Sequence, residues 1–195
     1  MGEIVFEDEK ILLYKKEPGE DSEKIFPELY VTSRLDKPVG GLLLFAKDSK
    51  TAALCSDKEN VDKTYYALVK GELEPEGVME DLLLHDRRAN KAYVVKRSRK
   101  GVKPARLSYE SVESIKTSDE VFSLVKIRLD TGRSHQIRVQ FSSRRHPLAG
   151  DGKYGSRVKG YIRLFCKVVD VRIYGRKEER HFEVPLPDDF FDISL

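Results

Sequence analysis

Short apolar runs separated by turn residues follow one another along most of the chain, and most have the length of a β-strand. The run at 42–46, Leu-Leu-Leu-Phe-Ala, is continuously apolar, which is typical of a strand buried on both faces. In 121–129 an apolar set at odd positions lies opposite a mixed set at even positions, as on the two faces of a strand. Further strands are predicted at 4–7, 11–15, 65–69, 92–96, 107–112, 168–174 and 181–184.

Only two segments have the features of a helix. The first runs from an N-cap at Asp48 or Ser49 to about Lys58, and the second covers 134–143, where Ile137 and Phe141 share a face. Because strands outnumber helices and mostly follow one another directly, the pattern favours an α+β fold on a largely antiparallel sheet over a doubly wound fold. The length of 195 residues suits a single domain, predicted to span 1–195.

The composition and the N-terminal sequence argue against a membrane protein. The chain has 36 Lys plus Arg, 33 Asp plus Glu and 39% hydrophobic residues, so it is expected to be compact and highly charged. No apolar stretch approaches the roughly 20 residues of a membrane-spanning helix, and the N-terminus has no signal-peptide pattern, which predicts a cytoplasmic protein. Cys55 and Cys166 lie far apart without CxxC spacing, so we expect buried thiols rather than a disulfide or a zinc site.

The small net charge of +3 is an average over two unlike regions. Residues 81–170 carry 21 Lys and Arg against 9 Asp and Glu, whereas the remainder carries 15 against 24. Such asymmetry indicates a surface for nucleic acid or another polyanion, with a merely solvated basic surface as the alternative. The densest cationic segment, predicted to be a mobile loop between two strands, contains Lys96, Arg97, Arg99 and Lys100.

Asp36 is the first candidate for chemistry. It lies in a loop rich in cations and turn residues at 34–41, directly ahead of the buried run. A carboxylate can act covalently without a metal or cofactor, and a nearby cation would position it. Taken alone, the segment is more readily explained as a turn aspartate paired with an arginine.

Two further segments contain candidate residues. At 131–138 a strand ends in a glycine turn before a helix, and Arg133 and Arg138 could supply forked donors to an anion there. His135 lacks a nucleophile or metal companion, so a structural or hydrogen-bonding role is favoured over a general base. Tyr65 and Tyr66 begin a strand and point to opposite faces, so at most one of them can stack on an unpaired base in a given site.

Six segments, in this order, resemble the RluA/RsuA-type pseudouridine synthases, and more closely the RluA-like branch. They extend over most of the chain, which makes the match specific. The segments are RLDKPVGGLLLFAKD at 34–48, DKTYYALVKGE at 62–72, GVKPARLSY at 101–109, LDTGRSHQIRVQF at 129–141, HPLAGDGKYG at 146–155 and FEVPLPDDF at 182–190.

The resemblance implies roles for individual residues. Asp36 corresponds to the essential aspartate, Tyr65 to the tyrosine that stacks on the target base and assists proton removal from C5, and Arg133 to the arginine that pairs with the aspartate. Leu164 matches an apolar residue beneath the base. Contacts to the RNA are expected from Arg34, His135, Gln136 and Arg138 and from the loop residues Lys96, Arg97, Arg99 and Lys100.

The implied reaction detaches uracil from its ribose, turns it and rejoins it through C5. This isomerisation is redox-neutral, so no cofactor or metal is expected. The family fold is a mostly antiparallel mixed sheet, flanked by helices and loops around a central catalytic cleft. The expected substrate is a structured ribosomal or transfer RNA, and a monomer without an S4-type RNA-binding domain is expected. The route, covalent or through a glycal, stays open.

The segment around Asp36 departs from the family pattern. Ser33 stands where a His is usual, Val39-Gly40-Gly41 replaces Thr-Ser-Gly, and Pro38 restricts the loop. These differences keep a second hypothesis open, a catalytically inactive RNA-binding or RNA-chaperone relative. A hydrolase that uses His135 is a more distant third.

Overall fold

The computed structural model describes residues 2–118, 120–174 and 178–193, and the chain divides into two compact units. The first unit contains Met1–Tyr65 and Phe165–Asp188, and the second contains Tyr66–Leu164 and Asp189–Leu195. A single domain over 1–195 stays a prediction. The elements are β1 (Glu3–Glu7), β2 (Ile11–Lys16), β3 (Tyr30–Val31), β4 (Gly40–Ala46), α1 (Ser49–Cys55), β5 (Val61–Lys70), β6 (Glu76–Asp86), β7 (Lys91–Val95), β8 (Val102–Lys116), β9 (Val121–Leu129), α2 (Gln136–Ser143), β10 (Leu164–Val171) and β11 (Arg180–Glu183).

In the first unit the strands follow the order β1-β2-β4-β10, with β3 paired to β4 and β11 to β10. All of these pairs are antiparallel except β4 with β10, which is parallel. All seven residues of β4 are buried, as the continuous apolar run predicted. Strand β2, whose apolar part spans 11–14, lies beside it and is buried along most of its length.

In the second unit β9, β8, β6 and β7 form an antiparallel ribbon in that order, and the C-terminal part of β5 belongs to the same unit. Helix α2 packs on one face of the ribbon, because its apolar side chains at Ile137, Val139 and Phe141 are buried. Leu83 of β6 and Val139 of α2 belong to one core cluster.

The α+β class with mostly antiparallel pairing is confirmed, and β9 begins and ends at the predicted residues. Helix α1 is capped by Asp48 but ends at Cys55, short of Lys58. Helix α2 begins two residues later than predicted, because His135 has a φ of 55° and acts as its N-cap. Within the described ranges no helix is long and apolar enough to span a membrane.

Strand β6 has no counterpart in the sequence-based assignment. Its sequence, EGVMEDLLLHD, mixes charged residues with an unbroken Leu-Leu-Leu run, so neither a period of two nor a helical period stands out. Strand β8 is far longer than the predicted 107–112 and begins at Val102. The cationic segment between β7 and β8 is therefore a short connection over 96–101, closed by a turn in which Val102 N donates to Arg99 O.

Candidate active site

Asp36 lies in a tight turn immediately before the most buried strand. Val39 N donates to Asp36 O at 2.8 Å, which closes the turn around Lys37 and Pro38, and β4 begins at the next residue, Gly40. Pro38, which departs from the family pattern, is accommodated because the turn does not need its missing N–H. The carboxylate of Asp36 is half-buried.

Lys16, the last residue of β2, is hydrogen-bonded to the backbone of this turn. Its side chain is fully buried, and its Nζ donates to Val39 O at 2.6 Å and to Lys37 O and Glu17 O at 3.1 Å. Burial lowers the pKa of Lys16 to about 8, and the nearby carboxylates, Glu20 first and then Asp36, oppose that shift. Sequence reasoning missed Lys16, because β2 ends in two adjacent lysines and their order alone does not show which one is buried.

The residues just ahead of Asp36 are fixed by a second buried contact. Ser22 Oγ donates to Leu35 O at 2.9 Å and accepts from Leu35 N at 3.2 Å. Arg34 points outward instead, with an exposed guanidinium 3.0 Å from the carboxylate of Glu23. A contact of Arg34 with RNA stays a prediction.

Tyr65 is buried in the same unit. Burial raises the pKa of its hydroxyl well above 10, and the negative charge of Asp36 adds to that shift. The thiol of Cys166 is an electrostatic neighbour of this hydroxyl, and burial raises the pKa of that thiol to about 12. Both groups therefore carry their protons at neutral pH, and Asp36 is close enough to act on Tyr65 electrostatically.

A second lysine joins this cluster from strand β5. Lys63 Nζ donates to Ser33 Oγ, the serine that stands in place of the family's usual histidine. Burial lowers the pKa of Lys63, with Cys166 and Cys55 opposing the shift. Both cysteines are buried, as the sequence predicted.

In the second unit Arg133 precedes helix α2 and is half-buried. Its backbone N donates to Gln136 Oε1 at 3.0 Å and its Nε donates to Pro104 O at 3.0 Å. Within the described residues its two terminal Nη groups make no hydrogen bond. The side chain is thus positioned at its base and keeps its forked donors for an anion.

Three polar residues beyond Arg133 are buried and hydrogen-bonded within the protein, namely His135, Gln136 and Arg138. His135 Nδ1 lies 2.9 Å from the hydroxyl of Tyr154, and Arg138 forms a forked ion pair with Asp151 at 2.7 and 2.9 Å. Gln136 Oε1 accepts from Thr131 Oγ and Arg133 N. This geometry makes all three structural supports of the Arg133 loop, and a direct contact of these residues with RNA stays a prediction.

The remaining predicted residues lie at the start of β10 and in the 96–101 connection between β7 and β8. Leu164 is 5% exposed at the first position of β10, and its place beneath the base stays a prediction. Lys96, Arg97, Arg99 and Lys100 are all exposed. Asp36 and Tyr65 thus belong to the first unit and Arg133 to the second, and the Asp36–Arg133 pair stays a prediction. In the described part of the chain no group of three or more His, Cys, Asp or Glu residues could hold a metal ion.

The sequence and the mostly antiparallel α+β fold both match one known class of protein. The family model described as RNA pseudouridylate synthase matches residues 8–143, and the chain belongs to this family. It is 28% identical to the "Dual-specificity RNA pseudouridine synthase RluA" of Vibrio vulnificus, over 97% of this chain and 84% of that protein. It is also 28% identical to "tRNA pseudouridine synthase C" of Yersinia pestis, over 80% and 71% of the two chains.

A third relative, "Ribosomal large subunit pseudouridine synthase D" of Nitrosomonas europaea, is 38% identical over 66% of this chain but only 36% of that protein. The chain therefore spans between about a third and most of the length of these relatives. Among solved structures, human RNA Pseudouridylate Synthase Domain Containing 1 superposes with a TM-score of 0.79 at 22% identity, covering 96% of this chain and 84% of that one. The resemblance to the RluA-like branch and the fold class it implied are confirmed.

Proposed function

We propose that this protein isomerises uridine to pseudouridine in RNA and that Asp36 is the residue that acts on the uridine. The observation that carries the proposal is the way the chain holds Asp36. A 2.8 Å hydrogen bond closes the turn, the buried ammonium of Lys16 donates to two of its carbonyls, and the charge of Asp36 acts on a protonated Tyr65. A carboxylate on such a rigid loop is suited to attack, because little ordering remains for the reaction to supply.

The reaction begins with a uridine taken out of its stack, which costs a few kcal/mol that phosphate contacts and aromatic stacking can offset. Asp36 then attacks the sugar or the base, or assists departure of uracil through a glycal. In every one of these routes the C1′–N1 bond breaks and a C1′–C5 bond forms, and overall C5 loses its proton while N1 gains one. The balance of atoms needs neither an oxidant nor a reductant.

Tyr65 is suited to stacking and to relaying a proton, but not to acting as a free base. Because its pKa lies well above 10, it is a neutral phenol at physiological pH. A neutral phenol can take the C5 proton only while giving up its own to a neighbouring acceptor.

Arg133 is proposed to bind an anion with its Nη groups, either the Asp36 carboxylate or a phosphate next to the target. The relatives are named for ribosomal and for transfer RNA, so a structured RNA of one of these classes is the proposed substrate. We also propose that the protein acts as a monomer, since nothing in this reaction requires a second subunit. Its proposed location is the cytoplasm.

Replacement of the carboxylate tests the proposal directly. We expect Asp36→Asn to lower pseudouridine formation by roughly 10³-fold or more, because an amide is a poor nucleophile, while the Kd for RNA changes by less than about threefold. The readout is chemical mapping of pseudouridine in bulk RNA from a strain that lacks the protein, together with a binding titration. Asp188→Asn, at an exposed aspartate, is the matched control and should leave both unchanged.

Turnover that survives in Asp36→Asn would remove Asp36 from the mechanism. If the unmodified protein itself forms no pseudouridine, the second candidate is favoured, a catalytically inactive RNA-binding or RNA-chaperone relative. Its support is the altered loop at Ser33, Pro38 and Gly40. In that case the unmodified protein binds RNA tightly but forms no pseudouridine.

A further inference from the structure

The ribbon of β7, β6 and β8 has one face that α2 does not cover. In its register Leu82 lies opposite Val95 and Pro104, and Leu84 lies opposite Tyr93 and Val102. Directly opposed residues on antiparallel strands project from the same side of a sheet. These six side chains therefore form one surface, called the outer face below: Leu82, Leu84, Tyr93, Val95, Val102 and Pro104.

The other side of the ribbon is mostly core, although Val94 and Lys103, which lie opposite Leu83, are exposed there. Met79, Leu83, Ala92, Ala105 and Leu107 alternate with the outer face and are at most 4% exposed. On the outer face, by contrast, the ring of Tyr93 is 42% exposed, Pro104 is exposed and the other four side chains are half-buried. A contiguous apolar surface of this kind on a soluble ribbon indicates a binding surface.

The charges around the outer face favour an anionic partner. Lys96, Arg97, Arg99 and Lys100 follow directly from β7, and their side chains form no ion pair within the described residues. The carboxylates nearby are neutralised, because Glu80 is 2.8 Å from Arg106 and Asp81 is 2.8 Å from Arg144. An apolar face with one exposed aromatic ring and a cluster of uncompensated cations is complementary to unpaired RNA.

The outer face continues to the candidate catalytic arginine within the same unit. A groove of about 580 Å³ is lined by Leu82, Val95, Lys96 and Pro104 among others, a volume within the range of small-ligand sites. Pro104 O is also the acceptor for Arg133 Nε at 3.0 Å. The groove therefore lies next to Arg133, within reach of nucleotides that flank a uridine bound there.

We propose that the outer face binds an unpaired stretch of the substrate RNA next to the target uridine, with a base stacked on Tyr93 and phosphates at the 96–100 segment. The placement next to the target rests on the function proposed above, whereas the binding of unpaired RNA does not. The surface would select substrates in which the target is flanked by single-stranded nucleotides, such as a loop or bulge. Its contribution is apolar and aromatic, so it differs from the general attraction of the basic region.

The test uses the full chain and a labelled single-stranded oligouridylate of about ten nucleotides, with a fully paired RNA of the same length for comparison. Loss of the ring in Tyr93→Ser should raise the Kd for the single strand by roughly 5- to 150-fold, the equivalent of one stacked base, without changing the salt dependence. Tyr93→Phe should bind as the unmodified protein does. Val112→Ser, at a valine of β8 that is 51% exposed, is the matched control and should have no effect.

Binding is measured without turnover, so failure of the surface and failure of the proposed function are distinct results. Binding that depends on Tyr93 but is not accompanied by pseudouridine formation would retain the surface and reject the isomerase. Pseudouridine formation with Tyr93→Ser at the unmodified rate and Kd would reject the surface and retain the isomerase. Equal affinity for single-stranded and paired RNA in all variants, or a dimer in sedimentation that Tyr93→Ser dissociates without any change in RNA affinity, would also overturn the surface.

Discussion

Lys16 ends strand β2 with a fully buried side chain, and its ammonium group is hydrogen-bonded to three backbone carbonyls. Two of those carbonyls, of Lys37 and Val39, belong to the turn that carries Asp36. An ammonium has three N–H donors and all three are used, so loss of its proton removes one of these bonds. The geometry of the Asp36 loop is therefore coupled to the protonation of a residue far away in sequence.

This coupling predicts a distinctive dependence of stability on pH. The folded-state pKa of Lys16 is about 8, below the ordinary value of 10.5, so the folded protein releases the proton first. Below pH 8 the cost of burying the charge is fully present, and between pH 8 and 10.5 it is relieved as pH rises. The free energy of unfolding of the unmodified protein, relative to Lys16→Met, should therefore increase over that interval by up to about 3 kcal/mol.

Urea unfolding of both proteins at a series of pH values measures this difference. Over the same interval turnover of the unmodified protein should decline, because the neutral amine can no longer donate to all three carbonyls. Lys16→Met should be slow throughout and show no such step. Parallel stability curves for the two proteins would show that Lys16 does not titrate in this range.

Strands β4 and β10 approach each other closely at a residue whose backbone conformation favours glycine. Gly41 has a φ of +115°, and a Cβ atom at this position would lie 2.4 Å from Cys166 N and 2.5 Å from Cys166 O. Backbone atoms cannot give way as a flexible side chain can. The glycine at 41 is therefore required both by its dihedral angle and by the parallel pairing of Gly41 with Cys166.

A pair of alanine substitutions separates the two requirements. Gly19 also has a positive φ, +98°, but nothing lies within 4 Å of its hypothetical Cβ, so Gly19→Ala should cost only the dihedral strain, about 1–2 kcal/mol. Gly41→Ala adds a backbone clash and should lower the free energy of unfolding by about 3 kcal/mol or more. Denaturant unfolding of the two variants is the measurement. Equal costs would mean that the strands can separate without penalty at this point.

At the scale of the whole molecule, we expect the basic region at 81–170 to govern attraction to RNA. Each Lys or Arg that contacts a phosphate releases a counterion, so the affinity falls steeply as salt rises. Changing the exposed loop cations to Gln should reduce the slope of log Kd against log salt by up to about 3, at roughly 0.7 per contact with a single strand. The four substituted residues are Lys96, Arg97, Arg99 and Lys100.

The control neutralises four lysines from the acidic remainder of the chain, Lys10, Lys24, Lys50 and Lys58, and should leave the slope near that of the unmodified protein. The measurement is a series of RNA titrations at increasing salt. An unchanged slope in the loop variant would show that the loop does not contact phosphate. An equal reduction in both variants would show that the net charge of the protein, rather than this loop, determines the attraction.

Sequence patterns predicted those elements that are specified by residues close together in the chain. The buried strand β4, the alternation in β9 and the Asp48 cap of α1 depend on residues near one another in sequence, and all three were predicted. Strand β6 was missed because its pairing with β7 and β8, rather than its own pattern, makes it a strand. The predicted start of α2 was two residues too early because His135 adopts a left-handed backbone conformation, and its side chain is hydrogen-bonded to Tyr154.

The sequence by itself determined the family, the α+β class and the identity of the candidate residues Asp36, Tyr65 and Arg133, because these depend on motifs and local periodicity. Only the tertiary structure decided what surrounds them. A lysine of β2 is hydrogen-bonded to the Asp36 loop, and the thiol of Cys166 in β10 is an electrostatic neighbour of Tyr65. Burial and long-range contacts determine the protonation of these groups, and strand pairing determines which face beside Arg133 is exposed. Both properties depend on residues that are distant in sequence, so no single stretch of the chain reveals them.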